Sequence, residues 1–176
     1  MKAILVGLPG SGKSTIGRHL ARRMHGAFVD SDRVIEQRLG MSIKVFFERE
    51  GEQAFRDLEE QVLAELLQDE STPCVLATGG GAVLRPGSRE RMRSSGWKVV
   101  YLHATPGDLL RRVRHDTSRP LLQVADPFTR LLELHAQRDP LYREVADFVI
   151  ETWQPSVATL VNTIMMQLEL AAPPRS

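Results

Sequence analysis

Short apolar runs alternate along this chain with longer stretches in which apolar residues return every three or four positions. The β-like runs fall at 2–6, 26–29, 74–77, 97–102 and 147–151. Helical period covers Ser14 to Met24, Val34 to Leu39, Glu52 to Leu67, Arg89 to Ser94, Gly107 to Arg114, Phe128 to Gln137 and Val157 to Leu170, and each stretch has one face to bury. This alternation predicts an α/β fold: a three-layer sandwich in which a central five-stranded parallel sheet is flanked by helices. No internal repeat interrupts it, so residues 1–170 are expected to form one domain. The segment from His115 to Asp126 has no convincing period, is bounded by turn residues and carries charge in its middle, which predicts a mobile lid over about 113–125. The final residues, Ala171 to Ser176, have nothing to bury and are expected to fray.

Composition narrows the class without changing it. A chain of 176 residues that is 42% apolar and 26% charged is long enough for one sizeable core. Its net charge of +1 gives no reason to expect nucleic acid or membrane partners. Cys74 is the single cysteine, so no intramolecular disulfide can form, and its apolar neighbours predict a small buried residue in a cytoplasmic protein. No apolar run approaches the roughly 20 residues of a membrane span, and no targeting pattern opens the chain. With no coiled-coil seam or long exposed apolar run, a monomer is expected.

The chemistry begins directly after the first strand, at Gly7-Leu8-Pro9-Gly10-Ser11-Gly12-Lys13-Ser14-Thr15. Strand, glycine-rich loop and helix occur in the order a phosphate-binding loop requires, so that backbone N–H groups and the Lys13 ammonium face the phosphates of a nucleotide. Ser14 opens the helix, where its hydroxyl can join the coordination of a Mg²⁺ ion. Asp30-Ser31-Asp32 follows the second strand, at the carboxyl end where ligands of open α/β sheets gather. One reading assigns Asp30 to Mg²⁺ through water and Asp32 to an acceptor hydroxyl, while the other has Asp32 simply capping the next helix.

Arg56 and Glu59 share a helix face, which suits either an arginine held by a carboxylate for bidentate recognition of an anion or an ordinary solvated pair. Thr78-Gly79-Gly80-Gly81 stands after the third strand, where many P-loop proteins place an aspartate. Its glycines can let a ligand approach the backbone or can form a flexible turn, and the missing aspartate favours Asp30 as the metal-side carboxylate. Among the remaining arginines, Arg119 in the expected lid could close over the phosphates, Arg138 precedes Asp139-Pro140-Leu141-Tyr142, and Arg111 and Arg112 could each be no more than solvated.

Together with Gly51 to Glu59, Arg119-Pro120-Leu121-Leu122 and Arg138 to Tyr142, these motifs resemble the shikimate kinase family from about residue 2 to 165. The resemblance implies a nucleoside-monophosphate-kinase-like P-loop enzyme that moves the γ-phosphoryl of ATP to the 3-hydroxyl of shikimate, on the route to chorismate, with Mg²⁺ as its metal. It implies that Gly10, Ser11, Gly12, Lys13, Ser14 and Thr15 hold the nucleotide, with Arg112 beside the adenine, Arg119 at the phosphates and Gln154 on the adenine-side loop Thr152-Trp153-Gln154-Pro155. Ser14 and Asp30 would serve the metal, and Lys13, Asp32 and Arg119 the catalysis. Asp32, Arg56, Gly79, Gly80, Gly81 and Arg138 would bind shikimate, Glu59 would brace Arg56, and Ile43, Phe47 and Phe55 would form an apolar wall. Two other readings stand beside it: a kinase for a different acceptor, such as gluconate or a nucleoside monophosphate, and a nucleotide-driven switch.

Overall fold

The computed structural model describes residues 1–70, 74–113, 124–153 and 155–173. Arg119, Gln154 and most of the expected lid therefore lie outside the described residues, as does the end of the expected frayed tail. Five strands, β1 (Lys2–Val6), β2 (Ala27–Asp30), β3 (Cys74–Ala77), β4 (Lys98–His103) and β5 (Phe148–Glu151), form one sheet. Its order is β2-β3-β1-β4-β5, and every neighbouring pair is parallel. Seven helices are described: α1 (Lys13–Arg23), α2 (Ser31–Leu39), α3 (Ile43–Gln68), α4 (Pro86–Ser94), α5 (Pro106–Val113), α6 (Pro127–Val145) and α7 (Val157–Leu170).

The period of two along β1 explains the layering. Ile4 and Val6 pack into a core with Leu63, Met92, Leu131, Leu134 and Tyr142, from α3, α4 and α6. Ala3 and Leu5 point to the opposite face and pack with Ile16, Leu20, Leu160, Ile164 and Leu168, from α1 and α7. A strand with both faces covered reads as continuously apolar, and Ala3 to Val6 are fully buried. The chain moves from β1 outward to β2, back to β3, and then to the other side at β4. The order thus reverses beside β1, and the cleft opens at the carboxyl ends of the strands there.

Helices α2 and α4 each start three residues before their sequence expectation, at Ser31 and Pro86, and α3 and α6 depart further from theirs. α3 has a first leg from Ile43 that the sequence did not predict, and the non-helical Gly51, whose φ of 83° is disfavoured for any other residue, separates it from a second leg that starts at Glu52 as expected. The first leg is started by Ser42, whose Oγ accepts from Val45 N at 3.2 Å, and it packs Ile43, Phe46 and Phe47 against Ile35, Phe55 and Val62. α6 continues past Gln137 through Pro140 to Val145. The carbonyl that Pro140 cannot bond is that of Ala136; both residues are exposed, so water can satisfy it, while buried Arg138, Tyr142 and Val145 hold the helix to the core.

Candidate active site

The phosphate loop leads into α1 with Gly12 at the cap, at φ 94°, and no side chain caps the helix. The first-turn N–H groups of α1 are thereby left for an anion. Lys13 Nζ donates to the carbonyls of Gly7 at 2.7 Å and Leu8 at 3.0 Å, holding the loop in a closed ring. Ser14 Oγ donates to Asp30 Oδ2 at 3.0 Å, which joins the loop to the end of β2.

Asp30, not Asp32, caps α2: its Oδ1 accepts from Asp32 N at 3.0 Å. That removes the helix-capping reading of Asp32 and leaves its side chain to the cleft. The intervening Ser31, to which sequence reasoning assigned no role, accepts from Gly79 N through its Oγ at 3.2 Å and ties the two acidic residues to the glycine turn.

The Arg56–Glu59 pair is not a solvated one. Both residues are buried, at 6% and 4% exposure, and Arg56 Nη1 donates to Glu59 Oε1 at 2.7 Å. Glu52 approaches Nη2 at 3.4 Å, and the guanidinium lies 5.0 Å from the Phe55 ring centroid. Arg138, only 2% exposed, reaches the same place from α6. Tyr142, one turn further along, donates its hydroxyl to Gly80 O at 2.5 Å and fixes the glycine turn against α6. The turn is close-packed rather than flexible: a Cβ on Gly79 would stand 2.7 Å from Asp32 Oδ1, and one on Gly81 would collide with the Arg56 guanidinium.

These residues line one cleft of about 820 Å³, which runs from Gly10–Thr15 to Asp30 and Asp32 and on to Ile43, Phe47, Phe55, Arg56, Glu59, Gly79–Gly81 and Arg138. Arg112, Thr152 and Pro155 close its other end. Arg112 is more than a solvated residue, since it donates to Gly10 O at 3.2 Å and Thr152 O at 2.7 Å, bridging the phosphate loop to the segment after β5. Arg111 is solvated, paired with Asp108. Trp153 is half exposed and packs into no core.

Polar groups at the acceptor end are desolvated. Asp32 Oδ1, Arg56 Nε, Glu59 Oε2 and Arg138 Nε, on residues of the acceptor end, and Ser11 Oγ in the phosphate loop are buried and without a hydrogen-bond partner among the described residues. Native proteins rarely leave such atoms unpaired unless something else satisfies them. Burial pushes the Asp32 carboxyl from its ordinary 3.8 up to about 7; nearby Glu59 and Asp30 add to the rise and Lys13 opposes it. Burial also raises Glu59, against the pull of Arg56.

A parallel sheet with its phosphate loop at the switch point, facing two arginines and a carboxyl across one cleft, defines a P-loop small-molecule kinase. The fold, and no more than the fold, is shared with a gluconokinase from Sinorhizobium meliloti, 17% identical, which superposes with a TM-score of 0.60 over 98% of this chain and 97% of its own. Closer comparisons are narrower. The family model described as shikimate kinase matches residues 9–169. A shikimate kinase of Paracidovorax citrulli is 62% identical over 168 residues, 95% of this chain and 91% of its own. The structure of shikimate kinase from Acinetobacter baumannii in complex with shikimate is 44% identical, with a TM-score of 0.92 over 99% of this chain and 95% of that one. The chain belongs to the shikimate kinase family.

Proposed function

We propose that this protein transfers the γ-phosphoryl group of ATP to the 3-hydroxyl of shikimate, giving 3-phosphoshikimate and ADP. The observation that carries the reading is the convergence of two buried guanidiniums, Arg56 and Arg138, with the Asp32 carboxyl on the Gly79–Gly81 turn, opposite the phosphate loop. That set fits a small acid bearing one carboxylate and several hydroxyls. Planar guanidiniums match the carboxylate, and Asp32 accepts from a hydroxyl. Ile43, Phe47 and Phe55 would face the ring carbons.

In this reading Lys13 and the N–H groups of Gly10, Ser11, Gly12, Ser14 and Thr15 hold the phosphates, and Arg112 flanks the base. Arg119 at the phosphates and Gln154 at the base rest on the family resemblance alone. Asp32 orients the attacking hydroxyl and takes its proton; a carboxyl near 7 is matched to that task at neutral pH. Ser14 Oγ and Asp30 Oδ2 are adjacent hard oxygen donors, the kind Mg²⁺ takes while keeping several waters, so these residues fit the ion. When bound, it supplies charge compensation to the phosphate oxygens. We further propose a monomer acting in the cytoplasm; among the described residues no helix is long and apolar enough to cross a membrane.

The test is ADP release by the purified protein with ATP and Mg²⁺, comparing shikimate with gluconate, AMP and CMP. Turnover that depends on shikimate alone is expected. Phosphorylation of a competitor instead would overturn the acceptor assignment, and equal slow turnover without any acceptor would favour a nucleotide switch.

A further inference from the structure

On the β5 side of β4, next to the cleft but outside its lining, lies a cluster that phosphoryl transfer does not use. His103 ends β4, and His135 and Asp139 stand four residues apart on one face of α6. We propose that His103, His135 and Asp139 form a binding site for a divalent transition metal ion of the zinc type, separate from the magnesium position at Ser14 and Asp30.

The distances carry the inference. His103 Nε2 and His135 Nε2 face each other at 3.3 Å, His135 Nε2 lies 3.7 Å from Asp139 Oδ1, and the three ligand atoms all fall within 4.8 Å of one another. A tetrahedral zinc with bonds of about 2.0–2.1 Å spaces its ligands about 3.3–3.4 Å apart. The imidazole pair is thus already at the required separation, and Asp139 Oδ1 stands a few tenths of an ångström beyond it from His135 and within 4.8 Å of His103.

The surrounding groups prepare each ligand. Glu151 Oε2 and Oε1 lie 2.7 and 2.9 Å from His103 Nδ1. A carboxylate there keeps the proton on Nδ1 and leaves the Nε2 lone pair toward the site, the arrangement that supports zinc-bound imidazoles. Tyr101 donates its hydroxyl to Asp139 Oδ1 at 2.7 Å, and Arg143 Nε donates to Oδ2 at 3.0 Å. Asp139 is therefore held in place with one lone pair of Oδ1 still available. The His103, His135 and Asp139 side chains are 14%, 27% and 20% exposed, so an ion can enter and water can take the fourth position. Two imidazoles select a transition metal over Mg²⁺. An ion held there would cross-link the end of β4 to the turn of α6 that carries Arg138, one residue before Asp139.

The experiment uses untagged full-length protein, stripped with chelator and titrated with Co²⁺ in excess Mg²⁺, followed by Zn²⁺ competition against a chromophoric chelator. We expect one equivalent bound, with the intense visible bands of a low-coordinate Co²⁺ site, bleached by Zn²⁺. His135→Ala is expected to weaken binding at least tenfold, and Glu151→Gln, which removes only the brace, by about 10–100-fold. Both variants should retain the parent's circular dichroism and acceptor-dependent turnover, since neither residue lies in the cleft that binds nucleotide and acceptor. The proposal falls if the wild type binds no more metal than His135→Ala, if Co²⁺ shows only the weak spectrum of a six-coordinate aquo ion, or if Glu151→Gln binds as tightly as the parent.

Discussion

The two ends of the cleft solve recognition in opposite ways. In the proposed reading the nucleotide end offers loop backbone, a helix N-terminus, the Lys13 ammonium and one partly exposed arginine, Arg112. At the acceptor end they are buried side chains from two long helices, Arg56 with Glu59 on α3 and Arg138 on α6, set against a glycine turn. A phosphate chain is highly charged and alike in every nucleotide, so a ring of amides suffices. A small neutral-bodied acid must be told from its relatives by a few directed groups, and directed groups need rigid, water-poor surroundings to act strongly. Four of the six buried polar atoms without a hydrogen-bond partner among the described residues, and the shifted Asp32 carboxyl, are found at the acceptor end.

If that contrast is right, the largest effect should come from Asp32. Asp32→Asn is expected to lower kcat by about 10²–10⁴-fold, the range for a lost general base. In the parent, kcat/KM for the acceptor should fall tenfold per pH unit below about 7, where the carboxyl protonates, and level off above. The stability sign is opposite. Because folding raises this carboxyl from 3.8 to about 7, its contribution to stability is present below the lower value and lost as pH rises toward the upper one. The variant should therefore melt at or above the parent at pH 8, and a clearly lower Tm would show that Asp32 is paired rather than poised.

Next in size is Arg56→Ala, which should raise KM for shikimate roughly 10- to 100-fold, the worth of charge-assisted hydrogen bonds, with KM for ATP within twofold. It also strands buried Glu59, at a cost of about 3–5 kcal/mol in chemical denaturation. The double variant Arg56→Met with Glu59→Gln should recover most of the stability and none of the shikimate affinity. Recovery of both would sink the proposed role of Arg56 as a carboxylate clamp.

A smaller effect tests the glycine turn. Gly79→Ala places a methyl 2.7 Å from Asp32 Oδ1 and 2.9 Å from Glu59 Oε2. These side chains must give way, so we expect about a tenfold loss in kcat/KM for the acceptor with Tm little changed, as measured by steady-state kinetics and thermal melting. The smallest belongs to the open end: Arg112→Ala should raise KM for ATP only a few-fold, the worth of a solvent-screened cation, and leave that for shikimate unchanged. Equal sensitivity of both substrates to Arg112 would erase the distinction between the two ends.

Much of this architecture was legible before any coordinates. The five strands appear within a residue of their expected bounds, because parallel strands buried on both faces stand out as short apolar runs. The phosphate loop was equally plain, since its function resides in backbone geometry that only a particular glycine spacing allows. The first leg of α3 and the last turns of α6 were not read. Gly51 and Pro140 are ordinary punctuation in sequence, and only packing by Phe46, Phe47, Tyr142 and Val145 carries helix up to the one and through the other.

The acidic motif shows where local information stops. Both aspartates can cap a helix; Asp30 does so through Asp32 N, and its orientation toward the phosphate loop and that of Ser31 toward the glycine turn show only in bonds to Ser14 and Gly79, 16 and 48 positions away. The same holds for Arg56 and Glu59, whose spacing is that of countless surface pairs and whose chemistry depends on being buried. Sequence by itself determined the sheet, its helices and the phosphate loop, because those follow from hydrophobic period and backbone conformation, both local. Tertiary structure alone decided which polar side chains lost their water and against what, because desolvation is set by neighbours distant in the chain, and it turns a common residue pair into a directed binding group.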